Sequence, residues 1–230
     1  MGKNISSIAA DAAARFAALG GVFVTEPPAL AERLGDIRAL VFDWDGVFNT
    51  GVKGPGAAST FSEADSMGTN MLRYGLWRSR EVLPRSVIIT GEANPAAEIF
   101  AKREHFDGLY QGVRNKGETI DQLCRDYGLA RSELVCFFDD INDLGMAADC
   151  GVRVLVRRDS SPLLKELVIR EARCDYITAS ESGSHAVREA AEMLLGLMNA
   201  FDTVVHSRVA FDESYSRYLA ARQAIATAVR

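Results

Sequence analysis

The sequence predicts an α/β fold built on a doubly wound parallel sheet, and three observations carry that expectation. Short apolar runs alternate with helix-like stretches from residue 38 onward. Four of the five runs are apolar on both faces, as strands covered by helices on both sides must be. Three of them close on a polar group, Asp43, Thr90 and Asp139, with turn-forming or polar residues directly after. Ligands of open α/β sheets collect at the carboxyl ends of strands, where the strand order reverses. Two acids and a hydroxyl at such ends would share one crevice.

The elements follow in order. Residues 1–35 read as an N-terminal helical extension: the Ala-rich stretch Ile5–Leu19 predicts a helix, and Glu26-Pro27-Pro28 breaks the chain. Residues 36–198 read as the sheet domain. Its strands are Arg38–Asp43, Ser86–Thr90, Leu134–Asp139, Val152–Val156 and Asp175–Thr178. Asn94-Pro95 and Ser161-Pro162 each offer an N-cap followed by proline at the first helical position. Residues 199–230 read as a C-terminal helical extension, with Tyr215, Tyr218, Leu219 and Ile225 near helical spacing. Neither the interval from Asp43 to Thr90 nor that from Thr90 to Lys116 leaves room for a large cap domain.

Composition narrows the function. The 230 residues carry 26 Lys and Arg against 31 Asp and Glu, a formal net charge of −5. That balance, without a long basic run, argues against nucleic acid or an anionic membrane as partner. No apolar run approaches the roughly 18–20 residues of a membrane span, and Asp11 and Arg15 interrupt what would be a signal peptide after Lys3. A cytoplasmic protein is expected. Cys124, Cys136, Cys150 and Cys174 form no C-x-x-C pair and read as reduced, apolar side chains. The three histidines, His105, His185 and His206, form neither a zincin motif nor a triad signature.

The segment Phe42-Asp43-Trp44-Asp45-Gly46-Val47 carries the chemistry. A strand-end carboxylate becomes a useful nucleophile when a cation neutralises an incoming phosphoryl group and holds it in line. A second acid two residues on can protonate the leaving oxygen and then activate water. Thr90-Gly91 offers a hydroxyl and a backbone amide to phosphate oxygens. Lys116 opens a helical segment, where an ammonium can balance nucleophile and phosphate together. Asp139-Asp140 and Asp143 add hard oxygen ligands, which suit Mg²⁺.

In this order the pieces resemble the haloacid dehalogenase (HAD) phosphatase superfamily, over about residues 36–198. The resemblance is closest to its capless branch containing 3-deoxy-D-manno-octulosonate 8-phosphate phosphatase. Phe61 with Asp65 and Gly68, Ile88–Gly91, Tyr110-Gln111-Gly112 and Ala186–Glu189 match further branch signatures. The resemblance implies Asp43 as nucleophile and Asp45 as general acid and base, with Thr90 and Lys116 completing the catalytic set. Asp43, Asp139 and the backbone carbonyl of Asp45 would hold Mg²⁺. Asp143 would stand behind them, orienting Lys116. The substrate would be a small phosphorylated sugar acid, hydrolysed through an aspartyl-phosphate.

Departures qualify the match. Phe138 replaces the glycine of the usual G-D-D and is expected to crowd a position next to a metal ligand. The branch builds a tetramer with a hairpin after Gly51; a homotetramer is the expectation here too, weakened because residues 52–59 are short and rich in Gly and Pro. Ser182-Gly183-Ser184-His185 replaces a glycine-rich loop, and His185 reads as structural or solvent-facing. Glu92 follows Thr90-Gly91 where the octulosonate branch has arginine; with Asp65-Ser66 it looks more like the branch acting on nonulosonate 9-phosphates. A nonulosonate 9-phosphate is therefore the first expectation and octulosonate 8-phosphate the second. Substrate contacts are expected from Gly91, Glu92, Asp65 and Arg103, with Lys102 or Arg103 meeting the sugar carboxylate. The competing readings are another HAD phosphotransferase and a catalytically silent oligomerisation or regulatory module.

Overall fold

The structure is a computed structural model that describes residues 5–54 and 59–230. Among the described residues, eight strands form one sheet. They are β1 (Val22–Phe23), β2 (Ala39–Phe42), β3 (Arg85–Ile89), β4 (Gly108–Tyr110), β5 (Leu134–Phe138), β6 (Val152–Arg157), β7 (Tyr176–Glu181) and β8 (Ala228–Val229). Across the sheet the order is β1-β7-β6-β5-β2-β3-β4-β8. All pairs are parallel except β1 with β7 at one edge. The chain runs outward from β2 through β3 to β4, then returns to β5 on the other side of β2. The order thus reverses at β2, which places the crevice above it.

Alternation along each strand explains the two layers. Leu40, Phe42, Ile88, Val135 and Phe137 join a core with α1 (Ile5–Ala18), α2 (Pro27–Leu34), α3 (Glu63–Arg80), α4 (Pro95–Arg103) and α8 (Ala186–Leu197). Ala39, Val41, Val87, Ile89, Leu134, Cys136 and Phe138 face the opposite way, against α5 (Lys116–Tyr127), α6 (Leu144–Ala147) and α7 (Pro162–Arg170). Both faces of the central strands are covered, as their composition required. Gly68 lets α3 pack tightly on α8, because a Cβ there would lie 2.9 Å from the Cα of Arg188. Ser62 caps α3 by accepting from the Asp65 amide at 3.0 Å, and Asn94 caps α4 in the same way through Ala96 and Ala97. Ser161 precedes α7 as expected but makes no side-chain cap.

The terminal segments hold corrections to the sequence reading. The pair Pro27-Pro28 starts α2 instead of merely breaking the chain, since proline suits the first helical turn. The C-terminal segment forms α9 (Phe201–Ala210) and α10 (Glu213–Gln223), yet Ile225 lies beyond the helix and Ala228–Val229 forms β8 beside β4. On α10, Tyr215 and Tyr218 are buried against Tyr74, with ring centroids 5.3 and 4.9 Å away. Such pairs contribute about 0.5–1.5 kcal/mol each beyond their burial. Arg222 reaches the buried Glu104 at 3.3 Å and anchors the same helix. The two- and three-residue strands β1, β4 and β8 were not visible as sequence patterns. Residues 55–58 of the predicted short flap lie outside the described residues.

Candidate active site

Asp43 leaves β2 at its carboxyl end, Thr90 leaves β3 and Asp139 leaves β5. With Asp45, Gly91, Lys116 and Asp143 they line one cleft of about 470 Å³. The loop after β2 is fixed by Trp44, fully buried among Phe48, Phe61 and Phe100, so the acids on either side of it turn toward the cleft. Gly46 has φ +93°, and a Cβ there would fall 2.1 Å from Asp139 Oδ2. The crossing of these two loops therefore requires glycine.

Lys116 is the centre of the charge arrangement. Its Nζ donates at 2.5 Å both to Asp43 and to Asp143, and all three groups are buried. Asn115 caps the N-terminus of α5, which aims the lysine at the strand ends. The other oxygen of Asp143 accepts from the backbone amides of Asp139 and Asp140 at 3.4 and 3.3 Å. Burial, then the neighbouring charge of Asp143, pushes the Asp43 carboxyl well above its ordinary range, with Lys116 opposing. The same two causes push Asp139 up to about 6, opposed by Arg158. For Lys116, burial lowers the ammonium, but the charges of Asp43 and Asp143 outweigh it and the net direction is up. Ligand oxygens of Asp43, Asp139 and Asp143 lie within 4.8 Å of one another. A buried, all-carboxylate set under mutual repulsion fits a hard divalent cation.

Asp45 sits at the mouth. It accepts from Ser59 at 3.1 Å and from Asn94 at 3.5 Å, and forms an ion pair with Lys53 at 3.1 Å. Lys53 also bridges to Glu92 at 2.9 Å. Glu92 is thus at the rim, two-thirds exposed, with its carboxylate turned to Lys53. Sequence reasoning missed Lys53, Asn94, Ser59 and Arg114. It also missed Arg158, which follows β6, lines the cleft and donates to Asp139. The signal for Arg158 was available: it stands at the carboxyl end of a predicted strand.

Several expected contacts are not brought to the cleft. Asp65 is 1% exposed and accepts from Ser62 and from the Arg188 amide, tying α3 to α8. Arg103 pairs with Glu63, and Lys102 with Glu98, both on the outer face of α4. Neither lines the cleft. Phe138 does not crowd the site: it is fully buried with Val41, Ile89 and Met146 in the opposite core layer. His185 caps α8 with φ +66°, and its ring meets Ser62 at 3.0 Å.

A doubly wound sheet with an acid pair after its first central strand, a strand-end hydroxyl, a buried lysine and further acids after a third strand defines a HAD-type phosphatase. No family model matches the chain. The 3-deoxy-D-manno-octulosonate 8-phosphate phosphatase of Escherichia coli K12 is 30% identical over 164 residues, 70% of this chain and 80% of that protein. The same-named protein of Salmonella typhimurium is 30% identical over 172 residues, 73% of this chain and 84% of that one. Among solved structures, the Moraxella catarrhalis enzyme of that name, in complex with magnesium, phosphate and KDO, superposes with a TM-score of 0.63 at 23% identity. The match covers 78% of this chain and 97% of that one. The chain belongs to the 3-deoxy-D-manno-octulosonate 8-phosphate phosphatase family of the HAD superfamily, and it is a phosphoric monoester hydrolase.

Proposed function

We propose that the chain hydrolyses the phosphomonoester of a 2-keto-3-deoxy sugar acid in a Mg²⁺-dependent reaction, with octulosonate 8-phosphate as first substrate. The observation that carries the reading is the Lys116 bridge between Asp43 and Asp143, beside Asp139. It supplies a nucleophile, its counter-charge and a cation site in one buried cluster.

An Asp43 carboxylate oxygen attacks phosphorus, and the bond from phosphorus to the sugar oxygen breaks. Asp45 gives its proton to that oxygen. The aspartyl-phosphate is then attacked by a water whose proton returns to Asp45, releasing phosphate and restoring Asp43. Thr90 and the Gly91 amide receive phosphoryl oxygens. Lys116 balances charge on Asp43 throughout, and Asp143 keeps it aimed. Mg²⁺, held by Asp43, Asp139 and the Asp45 backbone carbonyl, would neutralise the phosphoryl oxygens. Asp143 has its oxygens committed to Lys116 and two amides, which supports a positioning role for it behind the metal ligands.

The eight-carbon substrate ranks first because it is the one named for the 30% identical relatives. A nonulosonate 9-phosphate remains the second reading on one observation, Glu92 after Thr90-Gly91; its pairing with Lys53 weakens that case. A homo-oligomer in the cytoplasm completes the proposal. The test is phosphate release from both sugar phosphates after chelation and after Mg²⁺ is restored. Activity that needs Mg²⁺ and prefers the eight-carbon substrate supports the reading; full activity after exhaustive chelation overturns it.

A further inference from the structure

Four cationic side chains line the cleft: Lys53, Arg114, Lys116 and Arg158. Three are committed to carboxylates of the site. Lys116 holds Asp43 and Asp143, Arg158 holds Asp139, and Lys53 holds Asp45 and Glu92. Among the described residues, Arg114 alone of the four has no ion pair and no side-chain hydrogen bond, and it is exposed. An exposed arginine facing an acid-lined cleft without a carboxylate partner is available to a ligand.

Its place in the fold says which part of a ligand. Arg114 is two residues before Lys116, so their Cα atoms lie within about 7 Å of each other. The intervening Asn115 is the cap of α5, and Val113 is tied by its amide to the Thr90 carbonyl at 3.1 Å. Arg114 therefore stands on a fixed stretch of backbone beside the phosphoryl site. It also lines a second, open hollow of about 730 Å³ with Gln111 and Thr119, where the charged Glu118, Asp121 and Arg125 are taken up by Asn115, Arg131 and Gln122. A sugar acid phosphate is anionic at both ends, with hydroxyls between. With its phosphate on Asp43, the chain can extend past Arg114 over polar side chains that suit hydroxyls.

We infer that Arg114 binds the carboxylate of the sugar acid and so selects acidic sugar phosphates over neutral ones. The inference rests on the sugar-acid reading above and names the residue that enforces it. A guanidinium meets a carboxylate through two parallel N–H donors, a geometry that an ammonium reproduces only in part. Lys102 and Arg103 are each paired with a glutamate and do not line the cleft.

The test compares octulosonate 8-phosphate with its C1 primary amide, which keeps the sugar and phosphate but removes the negative charge. The quantity measured is the ratio of their kcat/KM values in the Mg²⁺-loaded wild type, Arg114→Ala and Arg114→Lys. A charge-assisted pair predicts that Arg114→Ala lowers the ratio about 10- to 100-fold, mainly through KM for the acid. Arg114→Lys should recover part of it. A wild-type preference for the acid that survives Arg114→Ala overturns the assignment while leaving the sugar-acid reading intact. A wild type without that preference overturns both. Equal losses on acid and amide also overturn the assignment, since they place Arg114 at the phosphate or in the fold.

Discussion

Lys116→Met removes the one charge that touches both Asp43 and Asp143, while keeping much of the buried volume. Each carboxylate is 2.5 Å from the ammonium, and all three groups are buried. Taking one partner from such a cluster leaves uncompensated charge in a poor solvent and costs about 3–5 kcal/mol. For a chain of this size that corresponds to a fall in Tm of roughly 6–20 °C. The cost should depend on pH in a defined direction. Without Lys116 the carboxyl of Asp43 rises further above its unfolded value, because burial and the neighbouring charge of Asp143 act without their main opponent. Groups raised in the folded state stabilise it at low pH and lose that contribution as pH climbs through the folded value. The difference from wild type should therefore grow as pH rises, followed over about pH 5 to 8. The assay is thermal unfolding in EDTA across that range. A Tm within about 2 °C of wild type near pH 7.5 would show that the lysine does not hold the site together.

Other predictions test its geometry. Gly46→Ala forces a side chain into a backbone with φ +93° and to within 2.1 Å of Asp139 Oδ2. It should cost about 1–3 kcal/mol and reduce the stabilisation that Mg²⁺ confers, both read by thermal unfolding with and without the ion. Asp139, pushed up to about 6, must lose its proton before it can bind a cation. Metal-free protein should lose stability as pH rises through that value, and the gain in Tm from Mg²⁺ should grow over the same interval; a gain independent of pH would contradict it. Zn²⁺ should replace Mg²⁺ poorly in turnover, because the cluster offers oxygen ligands only.

Much of the site was legible because its chemistry is local to strand ends. Asp43, Thr90 and Asp139 each close an apolar run, and the sheet brings those ends together whatever the loops do. Lys116 was legible through its order in the set and its place at a helix start. Asp65, Lys102 and Arg103 were misplaced for a common reason: nearness in sequence to a motif does not say which face of a helix a side chain occupies. Phe138 was misjudged by one step of strand alternation, which turns it into the far core layer. Lys53 and Arg114 stand in loops, where no periodicity shows which way a side chain points, whereas Arg158 directly follows β6 and could have been read from its strand end. The edge strands β1 and β8 were hidden because two residues carry no period, and they form only against neighbours already in place.

The central claim is that Asp43 itself attacks phosphorus, and Asp43→Asn tests it with least disturbance of shape. The amide keeps the volume but cannot attack, and it is a weaker ligand for a cation. Phosphate release from octulosonate 8-phosphate at saturating Mg²⁺ should fall by at least about 10³-fold, equivalent to roughly 4 kcal/mol of barrier, with the far-ultraviolet circular dichroism of the fold unchanged. A folded variant that keeps more than about a tenth of wild-type turnover, barely 1.4 kcal/mol of lost barrier, would contradict the account.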